Sequence, residues 1–161
     1  VEVPVGFKWI SSKIDEVDAV LGGESSGGLA VRGHIAGKDG IYAAALLVEM
    51  LAVTGKSVSQ LYQEITDKYG MLYYEDAAFT MTQARKVELQ EKLFVKLEVP
   101  DFGNAVEKIN RTDGCKVYFT DGSWVICRFS GTEPLLRMAA EGESQSQART
   151  YIRIWREELG L

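Results

Sequence analysis

The sequence has little of what a membrane protein or a nucleic-acid-binding protein needs. Its longest uninterrupted apolar run, Ile41 to Val48, is far shorter than the roughly 18 residues that span a bilayer. The N-terminal residues lack the basic segment and the long apolar core of a signal peptide. The 18 Lys and Arg residues are outnumbered by 23 Asp and Glu residues, and the net charge of −5 leaves no general basic surface. We therefore expect a cytoplasmic protein with neither nucleic acid nor a membrane among its partners.

Cysteine and histidine are scarce. The two cysteines, Cys115 and Cys127, do not have the C-x-x-C spacing, and the single histidine, His34, has no second His or Cys nearby. We therefore predict no metal site and no Ser-His-Asp triad, and we expect His34 to be a surface or capping residue. A chain of 161 residues with 46% hydrophobic residues can fold without a metal or a disulfide.

Glycine, in contrast, is abundant, with 16 residues, and it marks the first part of the chain. Residues 1–38 are predicted to be irregular apart from a short helix, or strand and helix, around Trp9. The segment GGESSGG, Gly22 to Gly28, is too rich in Gly and Ser for a helix or a regular strand, so we predict a loop. The carboxylate of Glu24 and a hydroxyl such as that of Ser26 would suit the vicinal hydroxyls of a sugar. A flexible surface turn is the alternative that these residues leave open.

Two helices are predicted after this loop. Asp39 is a suitable N-cap for a helix that runs to Thr54, and apolar residues on most sides of this helix predict that it is well buried. Ser57, with Gln60 three residues later, forms a capping-box pattern for a second helix that ends at Gly70. A strand or extended linker follows, and we place the domain boundary near its end.

The last part of the chain has a different pattern. After a helix over residues 82–93, the runs CKVYF and SWVICRF flank Asp121-Gly122, which is a strong hairpin signal. A two-residue loop would pair Phe119 with Trp124 and turn the two cysteines to opposite faces, which excludes a disulfide between them. A further strand from Leu135 and a helix that begins after Ser144 complete a small α+β domain. The expected buried stripe of this helix is Ala148, Tyr151, Ile152, Trp155 and Leu159.

A short segment between these strands combines groups that bind phosphate. A tight turn there carries two hydroxyls and exposed backbone N–H groups, and successive N–H groups in a turn form an anion-binding nest. Two arginines flank the turn, and a guanidinium forms paired hydrogen bonds to a phosphate. The alternative is a simple strand connection whose arginines are solvated or paired with nearby glutamates. The candidate residues are Arg128, Ser130, Gly131, Thr132 and Arg137.

Four segments together resemble the α-D-phosphohexomutase family, which contains the phosphoglucomutases and the phosphomannomutases. In chain order they are VPVGFKWI, GGESSGG, HIAGKDGIYAAALLVEML and RFSGTEPLLR. Each is a weak signal alone, but their order and spacing over nearly the whole chain make the resemblance strong. It implies an α/β third domain over residues 1–80, without its first strands. A small α+β fourth domain with an antiparallel sheet would follow over residues 81–161.

The resemblance also implies an isomerase of carbohydrate metabolism. Members of the family move a phosphoryl group between C1 and C6 of a hexose through a phosphoserine, with Mg²⁺ and a hexose 1,6-bisphosphate intermediate. The family's phosphoserine loop, Thr-Ala-Ser-His-Asn-Pro, and its metal loop, Asp-x-Asp-x-Asp-Arg, do not occur in this sequence. We therefore interpret the chain as the C-terminal part of such a mutase, inactive alone, with no catalytic residue, metal site or cofactor of its own.

The resemblance assigns roles to both loops, with a phosphorylated hexose as the expected partner. Glu24 and Ser26 match the family's sugar-hydroxyl binders. The residues that match its phosphate-binding loop are Arg128, Ser130, Gly131 and Thr132, with Arg137 beside them. A noncatalytic phosphosugar-binding or regulatory module, and an interaction domain without a small ligand, are the alternatives. An incomplete third domain would also expose apolar surface and strand edges, so we expect self-association through it.

Overall fold

The structure, a computed structural model, describes residues 1–96, 99–131 and 133–161. The chain forms two compact units, Val1–Gly70 and Met71–Leu161. This division lies earlier in the chain than the boundary predicted near Thr80. The reason is that the strand Tyr73–Thr80 pairs along its whole length with a strand of the second unit. The predicted fold class, an α/β part followed by a small α+β domain with an antiparallel sheet, is confirmed.

The first unit contains two short antiparallel strands and three helices. Its elements are α1 (Phe7–Glu16), β1 (Leu21–Gly23), β2 (Leu29–Val31), α2 (Gly40–Thr54) and α3 (Val58–Tyr69). Gly22 and Gly23 belong to β1, so the predicted loop is shorter than its sequence suggested. Ile10 and Ile14 of α1 form a small core with Ala30 of β2. A Cβ on Gly22 would lie 2.5 Å from Ile10 Cγ2, so this glycine lets α1 pack closely on the hairpin.

The predicted helix ends of the first unit are confirmed. The side chain of Asp39 accepts hydrogen bonds from the backbone N–H groups of Ile41 and Tyr42, each at 3.0 Å, and so caps α2. Gly55 ends this helix in the left-handed conformation, with φ 67°. Ser57 and Gln60 form a complete capping box at the start of α3.

The prediction that α2 is well buried is wrong. None of its residues is buried, and Ile41 and Val53 are 86% and 80% exposed. The two short strands of this unit are too small to cover a helix that is apolar on most sides. Among the described residues no single helix is long and apolar enough to cross a membrane. Within those residues α2 and α3 reach that length and composition as a pair, and they are bent by 82° to each other.

The second unit is an antiparallel sheet covered on one face by helices. Its strands are β3 (Tyr73–Thr80), β4 (Val106–Asn110), β5 (Cys115–Phe119), β6 (Trp124–Phe129) and β7 (Leu135–Gly142). Their order in the sheet is β3-β7-β6-β5-β4. Its helices are α4 (Gln83–Gln90), which continues as a π-helical segment (Glu91–Lys96), and α5 (Gln145–Leu159). All five residues of the stripe predicted for α5 are buried in the core.

The predicted register of the β5–β6 hairpin is wrong by one residue. Tyr118, and not Phe119, lies opposite Trp124. The connection has three residues instead of two: the N–H of Phe119 donates to the carbonyl of Ser123 at 2.9 Å, and Gly122 adopts φ 86°. A slip of one residue exchanges the two faces of a strand. Cys115 and Cys127 therefore lie opposite each other on the buried face, where both are free thiols.

Buried polar contacts hold the three-residue turn in place. Ser123 is 2% exposed, and its Oγ donates to Oδ1 of Asp121 at 2.5 Å. The hydroxyl of Tyr151, on α5, lies 3.0 Å from the same Oγ. Because a buried hydroxyl without a partner is costly, these contacts favour the observed turn over the two-residue alternative.

Candidate functional site

The two arginines of the predicted phosphate site are direct neighbours across the sheet. Arg128 lies near the end of β6, and its partner in the register of β6 and β7 is Arg137. Their chain neighbours Cys127 and Met138 are buried in the core. Since side chains alternate along a strand, both guanidiniums belong to the opposite face of the sheet. Arg128 is half-buried and Arg137 is exposed.

Among the described residues this pair of arginines has no counter-charge. In the part of the chain that the structure describes, neither guanidinium forms an ion pair or a hydrogen bond. Like charges directly opposite each other destabilise a sheet. Binding an anion between them would remove that cost, and a phosphate matches the donor geometry of guanidinium groups.

The turn after Arg128 is closed by its own backbone and side chains. The N–H of Ser130 donates to the carbonyl of Leu135 at 2.8 Å, and the Oγ of Ser130 accepts from the N–H of Glu133 at 3.3 Å. Gly131 is exposed, and a Cβ added to it would meet nothing within 4 Å. Thr132 lies outside the described residues. Hydrogen bonds therefore join Ser130 to Glu133 and Leu135, and the space beside Gly131 is open.

A lysine that the sequence analysis did not identify binds the back of this turn. Nζ of Lys86, on α4, donates to the carbonyl of Ser130 at 2.8 Å and lies 3.4 Å from the carbonyl of Glu133. Its position within a charged helix gave no signal, because the contact joins residues 44 positions apart in the sequence.

The predicted sugar site lies in the connection between β1 and β2. The N–H of Glu24 donates to the carbonyl of Gly28 at 2.8 Å, and the N–H of Gly27 donates back to the carbonyl of Glu24 at 3.0 Å. Gly27 has φ 88°, a conformation that favours glycine. The Oγ of Ser26 lies 3.5 Å from Oε2 of Glu24. The structure thus brings together the two side chains that the sequence analysis selected.

Glu24 has a second partner that the sequence did not indicate. Nζ of Lys38 lies 2.5 Å from Oε2 of Glu24, whose side chain is only 17% exposed. A Cβ on Gly28 would lie 2.6 Å from that oxygen and 3.0 Å from Cε of Lys38. Gly28 therefore makes room for the ion pair, which offers a ligand both a hydrogen-bond acceptor and a donor.

His34 has a structural role near the start of α2. Its Nε2 lies 2.9 Å from Oδ2 of Asp39, and its ring stacks on Tyr42 with centroids 3.9 Å apart. The hydrogen bond from the N–H of Tyr42, with that from His34, lowers the pKa of the Asp39 carboxyl below its usual value. Across residues 1–96, 99–131 and 133–161, no group of three or more His, Cys, Asp or Glu side chains is arranged to hold a metal ion.

Comparison with known proteins identifies relatives of both units. The sequence matches the profile "Phosphoglucomutase/phosphomannomutase, alpha/beta/alpha domain III" over residues 1–69. It also matches the profile "Phosphoglucomutase/phosphomannomutase, C-terminal domain" over residues 80–154. A phosphoglucomutase/phosphomannomutase of Thermococcus kodakarensis is 34% identical over 98% of this chain and 31% of its own length. A probable phosphoglucosamine mutase of Methanocella arvoryzae is 31% identical over 89% of this chain and 30% of its own length.

A solved structure agrees with these matches in fold. The crystal structure of a phosphoglucomutase/phosphomannomutase family protein from Burkholderia thailandensis superimposes with a TM-score of 0.71 at 23% identity. It covers 96% of this chain and 31% of its own chain, so the chain spans about a third of the length of its relatives. Both profiles and the curated relatives agree, and the chain belongs to the phosphoglucomutase/phosphomannomutase family, with sequence of domain III and of the C-terminal domain.

Proposed function

We propose that the chain is the C-terminal part of a mutase that interconverts hexose 1-phosphate and hexose 6-phosphate. In this proposal the phosphoserine and the Mg²⁺ loop belong to the rest of the parent enzyme, with hexose 1,6-bisphosphate as its intermediate. The chain supplies sugar-hydroxyl binding through Glu24 and Ser26. It supplies phosphate binding through Arg128, Ser130, Gly131, Thr132 and Arg137. The observation that carries the proposal is the cross-strand pair of arginines, which has no acidic partner in the part of the chain that the structure describes.

The electrostatics of the arginine pair favour a dianionic ligand. Two guanidiniums on neighbouring strands repel each other in the ligand-free protein. A phosphate group accepts hydrogen bonds from both and neutralises the local charge, as charge-assisted hydrogen bonds do. The N–H of Gly131 would add a donor for one of its remaining oxygens. This arrangement favours a phosphate over a neutral sugar hydroxyl at this position.

Separate binding of the phosphate, by the turn after Arg128, and of the sugar, by the loop that carries Glu24, suits the chemistry of a mutase. The substrate has to bind in two orientations, so that either C1 or C6 faces the phosphoserine. A fixed phosphate-binding turn holds the end of the substrate that does not react in both cases. The acceptor of Glu24 and the donor of Lys38 bind hydroxyls of the sugar between the two ends. Holding the substrate in this way supplies orientation, and orientation lowers the barrier to phosphoryl transfer.

Phosphate binding to this chain tests the proposal. We expect inorganic phosphate to bind with a dissociation constant in the millimolar range, because only part of the complete site is present. This corresponds to a binding free energy of about 4 kcal/mol in magnitude. Arg128→Ala should abolish this binding without unfolding the chain, since Arg128 makes no ion pair within the described residues. The measurement is an NMR titration that follows the amide signals of Ser130, Gly131 and Glu133.

Arg153 provides the matched control for this titration. It is an exposed arginine of α5, paired with Glu157 at 3.0 Å. Arg153→Ala removes the same charge and should leave the dissociation constant unchanged. Absence of amide shifts in the wild-type chain at tens of millimolar phosphate would refute the phosphate site.

A second prediction concerns Glu24 in the full-length parent. Glu24→Ala should lower kcat/KM by about tenfold to a hundredfold, because charge-assisted hydrogen bonds to the sugar contribute roughly 1.5–3 kcal/mol. Steady-state kinetics and the melting temperature should be measured on the same preparation. Glu64→Ala is the control, because Glu64 also forms a lysine pair, with Lys56 at 2.5 Å. A large drop in the melting temperature with unchanged kinetics would show that Glu24 is structural.

A further inference from the structure

We propose that Lys86 is a positioning residue for the phosphate-binding turn. The inference rests on the proposed function, because it concerns the same turn. Lys86 fixes the direction of the backbone carbonyls at both ends of the Ser130–Glu133 segment, and thereby the direction of the N–H group that faces the anion. It does so from behind the turn, without touching the ligand itself.

The contacts of Lys86 bridge the turn. Its Nζ donates to the carbonyl of Ser130 at 2.8 Å and reaches the carbonyl of Glu133 at 3.4 Å. The side chain is half-buried, and no described acidic side chain pairs with it. Both carbonyls are therefore turned towards one ammonium group, which is a strong donor because it is charged.

The position of Lys86 relative to the turn is itself fixed by the backbone. Residue Thr80, at the end of β3, pairs with Leu135 at the start of β7. The N–H of Met81 then donates to the carbonyl of Pro134 at 3.0 Å, which holds the chain next to the turn. Helix α4 begins directly afterwards, with Thr82 as its N-cap. Lys86 thus contacts the turn from a helix that is itself anchored beside it, so the geometry of the contact is well defined.

Because the peptide bond is planar, the contact between Lys86 and the carbonyl of Ser130 also sets the direction of the N–H of Gly131. The carbonyl of Ser130 and the N–H of Gly131 belong to one trans peptide unit, so they point in opposite directions. Because the carbonyl points to Lys86, the N–H of Gly131 points away from it. No described residue accepts a hydrogen bond from this N–H, and the space beside Gly131 is open. A phosphate oxygen fits this donor.

Without Lys86, the peptide unit between Ser130 and Gly131 would no longer be held in the orientation that turns its N–H towards the anion. The peptide between Ser130 and Gly131 is exposed on the side of Gly131, and the charged ammonium group of Lys86 favours the direction in which its carbonyl points. A peptide unit that reorients would present a carbonyl oxygen, with its partial negative charge, to the anion. Phosphate affinity should therefore depend on Lys86, although its ammonium group binds only carbonyls of the protein.

Lys92 offers a matched control within the same helical segment. Its Nζ binds the carbonyl of Glu158 at 2.7 Å and the carboxylate of Glu158 at 2.5 Å, so it also ties a helix to a backbone oxygen. Its partner lies near the end of α5 and not in the turn. Lys92→Met thus removes the same charge and a comparable contact at a distance from the proposed site.

The experiment is the NMR titration of inorganic phosphate into the wild-type chain and into Lys86→Met, Lys86→Arg and Lys92→Met. We expect Lys86→Met to weaken phosphate binding about tenfold, as the loss of a charge-assisted hydrogen bond does. Lys86→Arg should bind within about threefold of wild type because arginine keeps the donors and the charge. Lys92→Met should bind as wild type does. The Gly131 amide of Lys86→Met should shift even before phosphate is added, whereas in Lys86→Arg, which keeps the charge and the donors, it should stay near its wild-type position.

The outcomes separate this inference from the proposed function. No phosphate binding by the wild-type chain overturns the proposed site and, with it, the role of Lys86. Wild-type binding that persists at full affinity in folded Lys86→Met overturns only the role of Lys86. An equal loss in Lys92→Met would attribute the effect to net charge and would also overturn it. If Lys86→Met does not fold, Lys86→Leu, which keeps an apolar stem and has no donor, replaces it. Full affinity in folded Lys86→Leu together with an unshifted Gly131 amide would overturn the inference.

Discussion

Trp155→Ala is expected to lower the free energy of unfolding of the second unit by roughly 3–5 kcal/mol, the usual cost of truncating a buried tryptophan. Trp155 is fully buried on α5 and contacts Phe102 edge to face, with ring centroids 5.7 Å apart. Its buried indole N–H has no hydrogen-bond partner within the described residues, so the cost comes from lost packing and from the cavity. A loss of this size is a large fraction of the stability of a typical domain.

Urea titration followed by the amide signals of β5, β6 and β7 measures this loss in the second unit alone. Trp9→Ala is the matched control, because Trp9 is 46% exposed and lies on α1 of the first unit. The control should leave those signals unaffected. Trp155→Phe should cost less than Trp155→Ala, since it keeps a ring and removes the unpaired N–H. A loss below about 1 kcal/mol in Trp155→Ala would show that the core closes around the vacated space.

The chain alone is expected to show no mutase turnover. Phosphoryl transfer in the proposed mechanism needs a nucleophile and a metal ion that neutralises the developing charge, and we assign neither to this chain. The assay supplies glucose 1-phosphate, Mg²⁺ and a catalytic amount of glucose 1,6-bisphosphate, and a coupled reaction detects glucose 6-phosphate. The expected rate equals that of the blank.

A variant of the chain distinguishes turnover by the protein from turnover by a contaminant. Arg128→Ala, purified in the same way, lacks the central residue of the proposed phosphate site. Turnover that is equal in both preparations comes from a contaminating mutase of the expression host. Turnover that the wild-type chain shows and Arg128→Ala lacks would contradict the assignment of the catalytic groups to the rest of the parent.

Local signals predicted the helices of this chain well. The side chains of Asp39, Ser57 and Ser144 cap helices because each accepts a hydrogen bond from a backbone N–H two or three residues later. Such contacts lie within one turn of the chain, so sequence alone indicates them. Strand β4 was not predicted, since few apolar residues mark it and its register is irregular between Val106 and Lys108.

Features that depend on distant residues were predicted less well. The register of the β5–β6 hairpin depends on Ser123 being buried beside Tyr151 of α5, a contact across 28 positions. The burial of α2 depends on how much surface the rest of its unit can cover, which the apolar pattern of the helix does not reveal. Both the register of the hairpin and the burial of α2 are set by packing partners that the local sequence pattern does not contain.

The candidate site shows the same limit. Sequence and resemblance selected Glu24, Ser26 and the residues of the phosphate-binding turn, because unusual side chains in Gly-rich loops suggest ligands. The sequence did not reveal that Arg128 and Arg137 are direct cross-strand neighbours, since this depends on the register of β6 and β7. It also gave no signal for Lys38 or Lys86, whose contacts join separate elements.

The reactivity of the two buried thiols can be used to measure how often the second unit opens. Both cysteines of the chain belong to this unit, and burial raises the pKa of each above its usual value. Because thiol reagents attack the exposed thiolate, a maleimide should label only those molecules in which the sheet has transiently opened. The first unit contains no cysteine, so maleimide does not label it. The labelling rate of the unmodified chain therefore measures the opening equilibrium of one unit without an introduced probe.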